Sequence, residues 1–156
     1  MPGRRRAREF SLQALFQADL TETDPRAALA DLWALLLDDD TARAPAPVRE
    51  ETAFASEVVA GVQDRGAEID ALIEAASLNW RLVRMPVVDR NILRLACWEL
   101  VVRTDIPVSV TINEAVELAK RYGGPDSRAF VNGILDRIAH DIGRGGRGPR
   151  KPPPST

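Results

Sequence analysis

Residues 110–142 read VTINEAVELAKRYGGPDSRAFVNGILDRIAHDI, and their punctuation is that of two helices joined by a short turn. Lys120 and Arg121 stand where the first helix should end, and Gly123 and Gly124 follow. Cations in a last turn and glycine beyond it suit the carbonyls that a helix end leaves without partners. Asp126 then reads as the N-cap of the second helix. Helical spacing continues upstream. In VVDRNILRLACWELVVR, residues 87–103, Val88, Ile92, Leu95 and Ala96 recur at helical steps, and Pro107 closes the run. The alternation in PVSVTI, residues 107–112, would suit a strand, but an isolated strand has no partner, so a loop into the next helix is expected there.

The N-terminal half has the same character. Ala7, Phe10, Ala14, Leu15 and Ala18 share one side of a helix that should run to about Leu20. Asp24 reads as an N-cap with Pro25 at the first helical position, leading an apolar stripe through Leu29, Leu32, Trp33 and Leu36. Asp38, Asp39 and Asp40 are unfavourable at a helix C-terminus and favour a stop. TARAPAPVREE, residues 41–51, reads as a Pro/Ala loop. Helices through Phe54, Val58 and Val62 and through Ile69, Leu72, Ile73 and Ala76 follow, separated at Gly66. The expected architecture is all-α, with about seven helices in two packed helical subdomains, residues 1–80 and 81–142, forming one domain. GRGGRGPRKPPPST, residues 143–156, is low in complexity and is expected to be a disordered basic tail.

Composition narrows the function. The chain has 156 residues, 45% hydrophobic and 28% charged, enough for one well-buried domain. No apolar run approaches the ~18 residues of a membrane span. The arginine-rich start lacks the apolar region of a secretory signal, so a cytoplasmic protein is expected. Cys97 lies in RLACWEL and reads as a small core residue. The single histidine, His140, has no cysteine or second histidine nearby, so a zinc site or a histidine-activated nucleophile lacks its parts. GRGGRG has neither a strand before it nor a helix after it, and no GxxxxGK[ST] loop occurs. Carboxylate pairs such as Glu114 and Glu117 are ordinarily solvated faces. The sequence therefore points away from catalysis, with no cofactor or metal expected.

Charge points toward an anionic partner. The net charge is −2, yet Arg4, Arg5, Arg6 and Arg8 crowd the start and Arg144, Arg147, Arg150 and Lys151 the end, with no acid in either segment. Between them lie 13 basic and 23 acidic residues. Basic ends on an acidic body suit nucleic acid, although basic tails are also common as solvated chain.

Three stretches together resemble the NusB family of transcription antitermination factors: RRRAREFSLQALFQ (4–17), PVVDRNILRLACWEL (86–100) and INEAVELAKRYGGPDSRAFVNGILDRI (112–138). The last is the most specific, a long ordered pattern of INEAVELAK followed by DSRAFVNGILD. The resemblance covers the chain apart from residues 37–55 and the basic tail. It implies an all-helical fold of two subdomains and a non-enzymatic protein. Such a protein binds boxA RNA of ribosomal transcripts together with NusE, a ribosomal protein, within the transcription elongation complex, so that RNA polymerase resists premature termination. A second copy of the chain, covering the RNA surface, is a further partner to consider. Two other readings stand beside this one, a helical protein–protein adaptor and a recruiting module for an rRNA-modifying enzyme. A methyltransferase domain is not expected within these 156 residues.

Individual residues can be weighed against that reading. At ~100° per residue, Arg5, Glu9, Phe16 and Leu20 fall in a sector about 60° wide, with Gln13 and Arg6 beside them. Phe16 thus sits at the margin between the apolar face and a basic, amide-bearing flank. It is either a core-edge aromatic or a platform for an unpaired base, with Gln13 reaching a base edge. Members of the family commonly carry tyrosine where this chain has Phe16. Arg4, Arg5, Arg6 and Arg8 suit phosphates, and four such contacts would give a salt slope near −3, about a 50-fold loss between 50 and 200 mM salt. The second candidate surface is KRYGGPDSRAFVNG, where Lys120, Arg121 and Arg128 accompany Tyr122 and Phe130. The resemblance places Asp126, Ser127, Phe130 and Asn132 at the RNA-binding surface and Asp89 at the NusE interface. Asp126 would cap its helix while repelling phosphate, moderating RNA affinity. Asn113 and Glu114 would tie helices together.

Overall fold

Local signals set most helix boundaries in the computed structural model of the chain, which describes residues 2–37, 45–78 and 80–145. Seven α-helices follow one another: α1 (Pro2–Thr21), α2 (Pro25–Leu36), α3 (Arg49–Asp64), α4 (Gly66–Ala76), α5 (Val87–Val102), α6 (Val108–Tyr122) and α7 (Ser127–Asp141). A 3-10 turn, Leu82–Arg84, precedes α5, and no strand occurs among the described residues. Asp24 caps α2 as expected, its carboxylate accepting from the Arg26 amide at 2.8 Å with Pro25 at the first position. At the start of α3 the Glu51 carboxylate reaches back to the Val48 amide at 2.9 Å.

α5 is the central helix and touches α1, α3, α4, α6 and α7. Ile92, Leu93, Leu95, Ala96 and Cys97 on it have no exposed surface, and burial pushes the Cys97 thiol up to about 12, which removes it as a nucleophile. The predicted apolar face of α1 is buried throughout, at Ala7, Phe10, Ala14, Leu15 and Ala18. One continuous apolar cluster runs through all seven helices.

Three expectations change. PVSVTI is helical from Val108 onward, because Pro107 initiates α6 and Thr111 and Ile112 turn into the core; packing overrides the β-propensity of the branched residues. Asp126 makes no cap hydrogen bond and has α-region backbone angles, whereas a side-chain N-cap needs extended ones. The segment beginning at Gly143 is in part ordered. Gly143, at φ +81°, donates to the His140 carbonyl (3.1 Å) and Arg144 N to that of Ala139 (2.7 Å), a Schellman closure of α7. The Arg144 guanidinium then donates to the carbonyls of Leu100 (2.8 Å) and Ile106 (3.0 Å). Residues 146–156, the rest of the expected tail, lie outside the described residues, as do Asp38–Asp40.

Two features join α1 and α3 to the central helices. Asp19 on α1 accepts from Arg90 (2.7 and 2.8 Å), Asn91 (2.8 Å) and Arg94 (2.9 Å), and Arg94 also reaches Asp70 on α4 at 3.0 Å. Burial pushes the Asp19 carboxyl up, but the hydrogen bonds from Arg90 and Asn91 and the charge of Arg94 outweigh it and hold it below its ordinary value. Gly61 on α3 lies against Trp98 on α5, so close that a Cβ there would sit 1.9 Å from the indole Nε1.

Gly61→Ala should therefore destabilise the fold by about 1–3 kcal/mol through overpacking, read as a lower urea midpoint with unchanged slope. A carboxyl with a depressed folded pKa contributes stability above its unfolded pKa and loses it as pH falls through the folded value. Asp19→Asn should accordingly be less stable than the parent at neutral pH, and the difference should shrink in thermal melts as the pH is lowered below the ordinary aspartate range.

Candidate nucleic-acid interface

The four N-terminal arginines point in different directions. Arg8 is 3% exposed and donates from Nε (2.8 Å) and Nη2 (2.7 Å) to both carboxylate oxygens of Glu99, which has no exposed surface. Thr111 Oγ1 also donates to Glu99, at 3.3 Å. Arg8 thus joins α1 to the centre of the core and offers no group to a phosphate at the surface. Its placement on the helical wheel beside Leu15 was the signal for this. Arg4 lies over the Phe54 ring at 5.0 Å, with Arg8 at 5.4 Å and Arg103 at 5.5 Å around the same ring.

Arg5 and Arg6 stay at the surface, but with partners. Arg5 forms a two-pronged pair with Glu114 on α6 (2.9 and 3.1 Å), the hydrogen bond that raises its pKa. This is the helix tie expected of Glu114. Arg6 reaches Glu51 at 3.4 Å, donates to the Pro45 carbonyl, and lies 5.0 Å over the Phe10 ring. Glu9, in the same exposed sector, accepts from Arg121 at 3.1 Å and from the Tyr122 hydroxyl. Burial and the bond to Glu9 push the Tyr122 hydroxyl above its ordinary value. A crevice therefore gathers Arg5, Glu9, Glu114 and Arg121.

Beside this crevice runs a groove of about 410 Å³ whose lining includes Arg6, Phe10, Gln13, Phe16, Leu36, Val88 and Tyr122. A second hollow, about 320 Å³, lies between Gln13, Phe16, Gln17 and Leu20. Phe16 is half-buried and borders both, so its ring forms the ridge between them. Gln13 is exposed next to it. The structure thus brings Arg6, Gln13, Phe16 and Tyr122 to one groove, with Arg5 and Arg121 adjoining; Arg4 stands apart.

At the α6–α7 turn the residues divide. Asp126 and Arg128 are exposed, Phe130 and Asn132 half-buried, and Ser127 is buried. Ser127 Oγ accepts from the Gly124 amide (2.9 Å) and donates to Asp89 (2.7 Å). Asp89 is 4% exposed, so the expected surface acid is a buried tie between α5 and α7. Gly123 is required here, since a Cβ would lie 2.5 Å from Ser127 Oγ. Sequence reasoning missed Val88, Leu36 and the restraining role of Glu9, because each acts through neighbours remote in the chain. It also missed Trp80, whose ring meets Phe130 edge to face at 5.5 Å and 70°.

The chain resembles known proteins over nearly its whole length. The model of the NusB family matches residues 5–140. The transcription antitermination protein NusB of Myxococcus xanthus is 49% identical over 89% of this chain and 96% of its own. That of Sorangium cellulosum is 46% identical over 92% and 96%. Among solved structures, NusB of T. maritima superposes with TM-score 0.76 at 41% identity, covering 88% of this chain and 91% of that one. A chain from a complex of NusB and NusE with double-stranded RNA shares the fold at TM-score 0.75 and 24% identity, over 90% and 98%.

Arg8→Met should cost about 3–5 kcal/mol in urea unfolding, because Glu99 would be left buried without its partner, and the double variant Arg8→Met/Glu99→Met should recover much of that loss. Arg5→Gln, which breaks an exposed pair, should leave the unfolding midpoint close to that of the parent.

Proposed function

The chain belongs to the NusB family of transcription antitermination proteins, and on that premise we propose that its α1 face binds boxA RNA of ribosomal transcripts together with NusE. The bound complex helps RNA polymerase resist premature termination. The observation that carries this reading is the Phe16 ridge, an aromatic edge between two hollows with Gln13 beside it and guanidinium groups around it. An unpaired base can stack on such a ring while the amide reads its edge. Arg5, Arg6 and Arg121 supply phosphate contacts by exchanging Glu114, Glu51 and Glu9 for the RNA backbone. Three contacts of this kind give a salt slope near −2 in place of the −3 that four arginines would give.

Asp126 is exposed and makes no cap, so its charge acts only on what approaches it. Arg128, Phe130 and Asn132 extend the RNA face along α7. Ser127 and Asp89 support that face from behind through their mutual hydrogen bond. A homodimer burying the same groove would compete with RNA.

Fluorescence anisotropy with boxA RNA and a scrambled control, with and without NusE, across a salt series, tests this reading. Preferential binding to boxA that NusE strengthens is the expected result; equal binding to both RNAs under all conditions refutes it. Phe16→Ala should weaken boxA binding by about 5- to 100-fold without changing the salt slope. Arg5→Gln/Arg6→Gln should flatten the slope by about 1.4. Asp126→Asn should bind RNA more tightly at unchanged thermal stability.

A further inference from the structure

The segment between α4 and α5 carries an exposed tryptophan that the α1 face does not use. Of the three tryptophans, Trp98 is 2% exposed and Trp33 packs against Phe10 at 5.1 Å, whereas Trp80 is 49% exposed. Its flat ring is held in place. Trp80 N donates to the Ser77 carbonyl at 3.2 Å, the Ser77 hydroxyl donates to the Trp80 carbonyl at 2.8 Å, and Leu78 adopts a positive φ of 54°. Downstream, the Leu82 amide donates to the Glu74 carboxylate at 3.0 Å and Arg90 donates to the Leu82 carbonyl at 3.3 Å. The indole edge-to-face contact with Phe130 completes the support.

The charge that the segment itself carries is positive. Residues 75–88 contain no acid and carry Arg81 and Arg84. Both are exposed. Among the described residues neither of these two has an ion pair, in contrast to Arg5, Arg6, Arg8 and Arg121, each of which has a carboxylate partner. The site and the groove share buried supports. Val88 lines the groove, its neighbour Asp89 bonds Ser127, and Phe130 follows one turn later on α7.

We propose that Trp80 and Phe130, with Arg81 and Arg84, form a second contact for single-stranded RNA, in which Trp80 stacks an unpaired base and the arginines hold the adjoining phosphates. This rests on the RNA reading of the α1 face and extends the bound strand from that face onto the α4–α5 segment. A preset aromatic ring and unpaired guanidinium groups are what sequence-tolerant stacking on a charged strand requires. Leu78 and Val83, 78% and 75% exposed, flank the ring and would suit a protein instead. The unpaired positive charge on Arg81 and Arg84 favours the polyanion.

The test uses the full chain and labelled boxA RNA. Trp80→Ala should weaken binding by about 5- to 100-fold with the salt slope unchanged, and Trp80→Phe should restore most of it. Arg81→Gln/Arg84→Gln should flatten the slope by about 1.4. RNA should quench the tryptophan emission of the parent more than that of Trp80→Phe, whose remaining tryptophans are the buried Trp98 and the half-buried Trp33. RNA binding that is sensitive to Phe16→Ala but unaffected by all three Trp80 and arginine variants overturns this inference and leaves the α1 reading standing. Loss of NusE binding in Trp80→Ala with unchanged RNA affinity also overturns it and makes the patch a protein-docking surface. A parent that binds no RNA under any condition overturns both.

Discussion

The buried pair between Arg8 and Glu99 fixes how α1 lies on the rest of the molecule. A guanidinium and a carboxylate with almost no exposed surface are costly to desolvate, and only close two-pronged geometry with a further hydrogen bond compensates. Here Thr111 of α6 supplies that bond, so three helices meet at one charge. A pair that stabilises only in good alignment acts as a register pin: sliding or rotating α1 by one residue would strand two ions in an apolar core. With Arg8 pinned inward, the ~100° step places Gln13 and Phe16 outward. The exposed face that proposes itself for RNA is thus set by an interaction that never meets RNA.

Much of the fold was legible because its signals are local. The Asp24–Pro25 start of α2 and the apolar face of α1 each follow from backbone chemistry or from helical period, and the break expected at Gly66 falls one residue earlier, at Arg65. Where the reading departed from the structure, tertiary packing decided. VSVTI has strand-like alternation, yet in the helix Thr111 reaches Glu99 on α5 and Ile112 is buried in the core. Asp126 has the residue type of an N-cap but not the backbone angles, and the oxygen that orders this turn belongs to Ser127. The site divides in the same manner. The marginal position of Phe16 could be read from a helical wheel, since it depends on one helix alone. That Arg5 meets Glu114, or that Asp89 is buried under Ser127, depends on residues 109 and 38 positions apart.

This pairing changes what the basic N-terminus means. Four consecutive-looking positive charges suggest a diffuse attraction for any polyanion. In the folded chain one is internal, one lies over an aromatic ring, and two are held by carboxylates. Such a face attracts nonspecific anions weakly, and a ligand gains only when it offers phosphates where the carboxylates now sit and a base where the ring is. Discrimination then comes from the exchange of partners, and it draws on geometry more than on net charge.

The close approach of Gly61 to Trp98 carries a consequence for how this sequence can vary. The α3 backbone rests on the indole where any side chain would collide, so neither position is free to drift by itself: a larger residue at 61 demands a smaller one at 98, and loss of the indole opens a void that glycine cannot fill. The two sites, far apart in the chain, constitute a single coupled character, and chains that descend from a common ancestor should exchange them together or not at all.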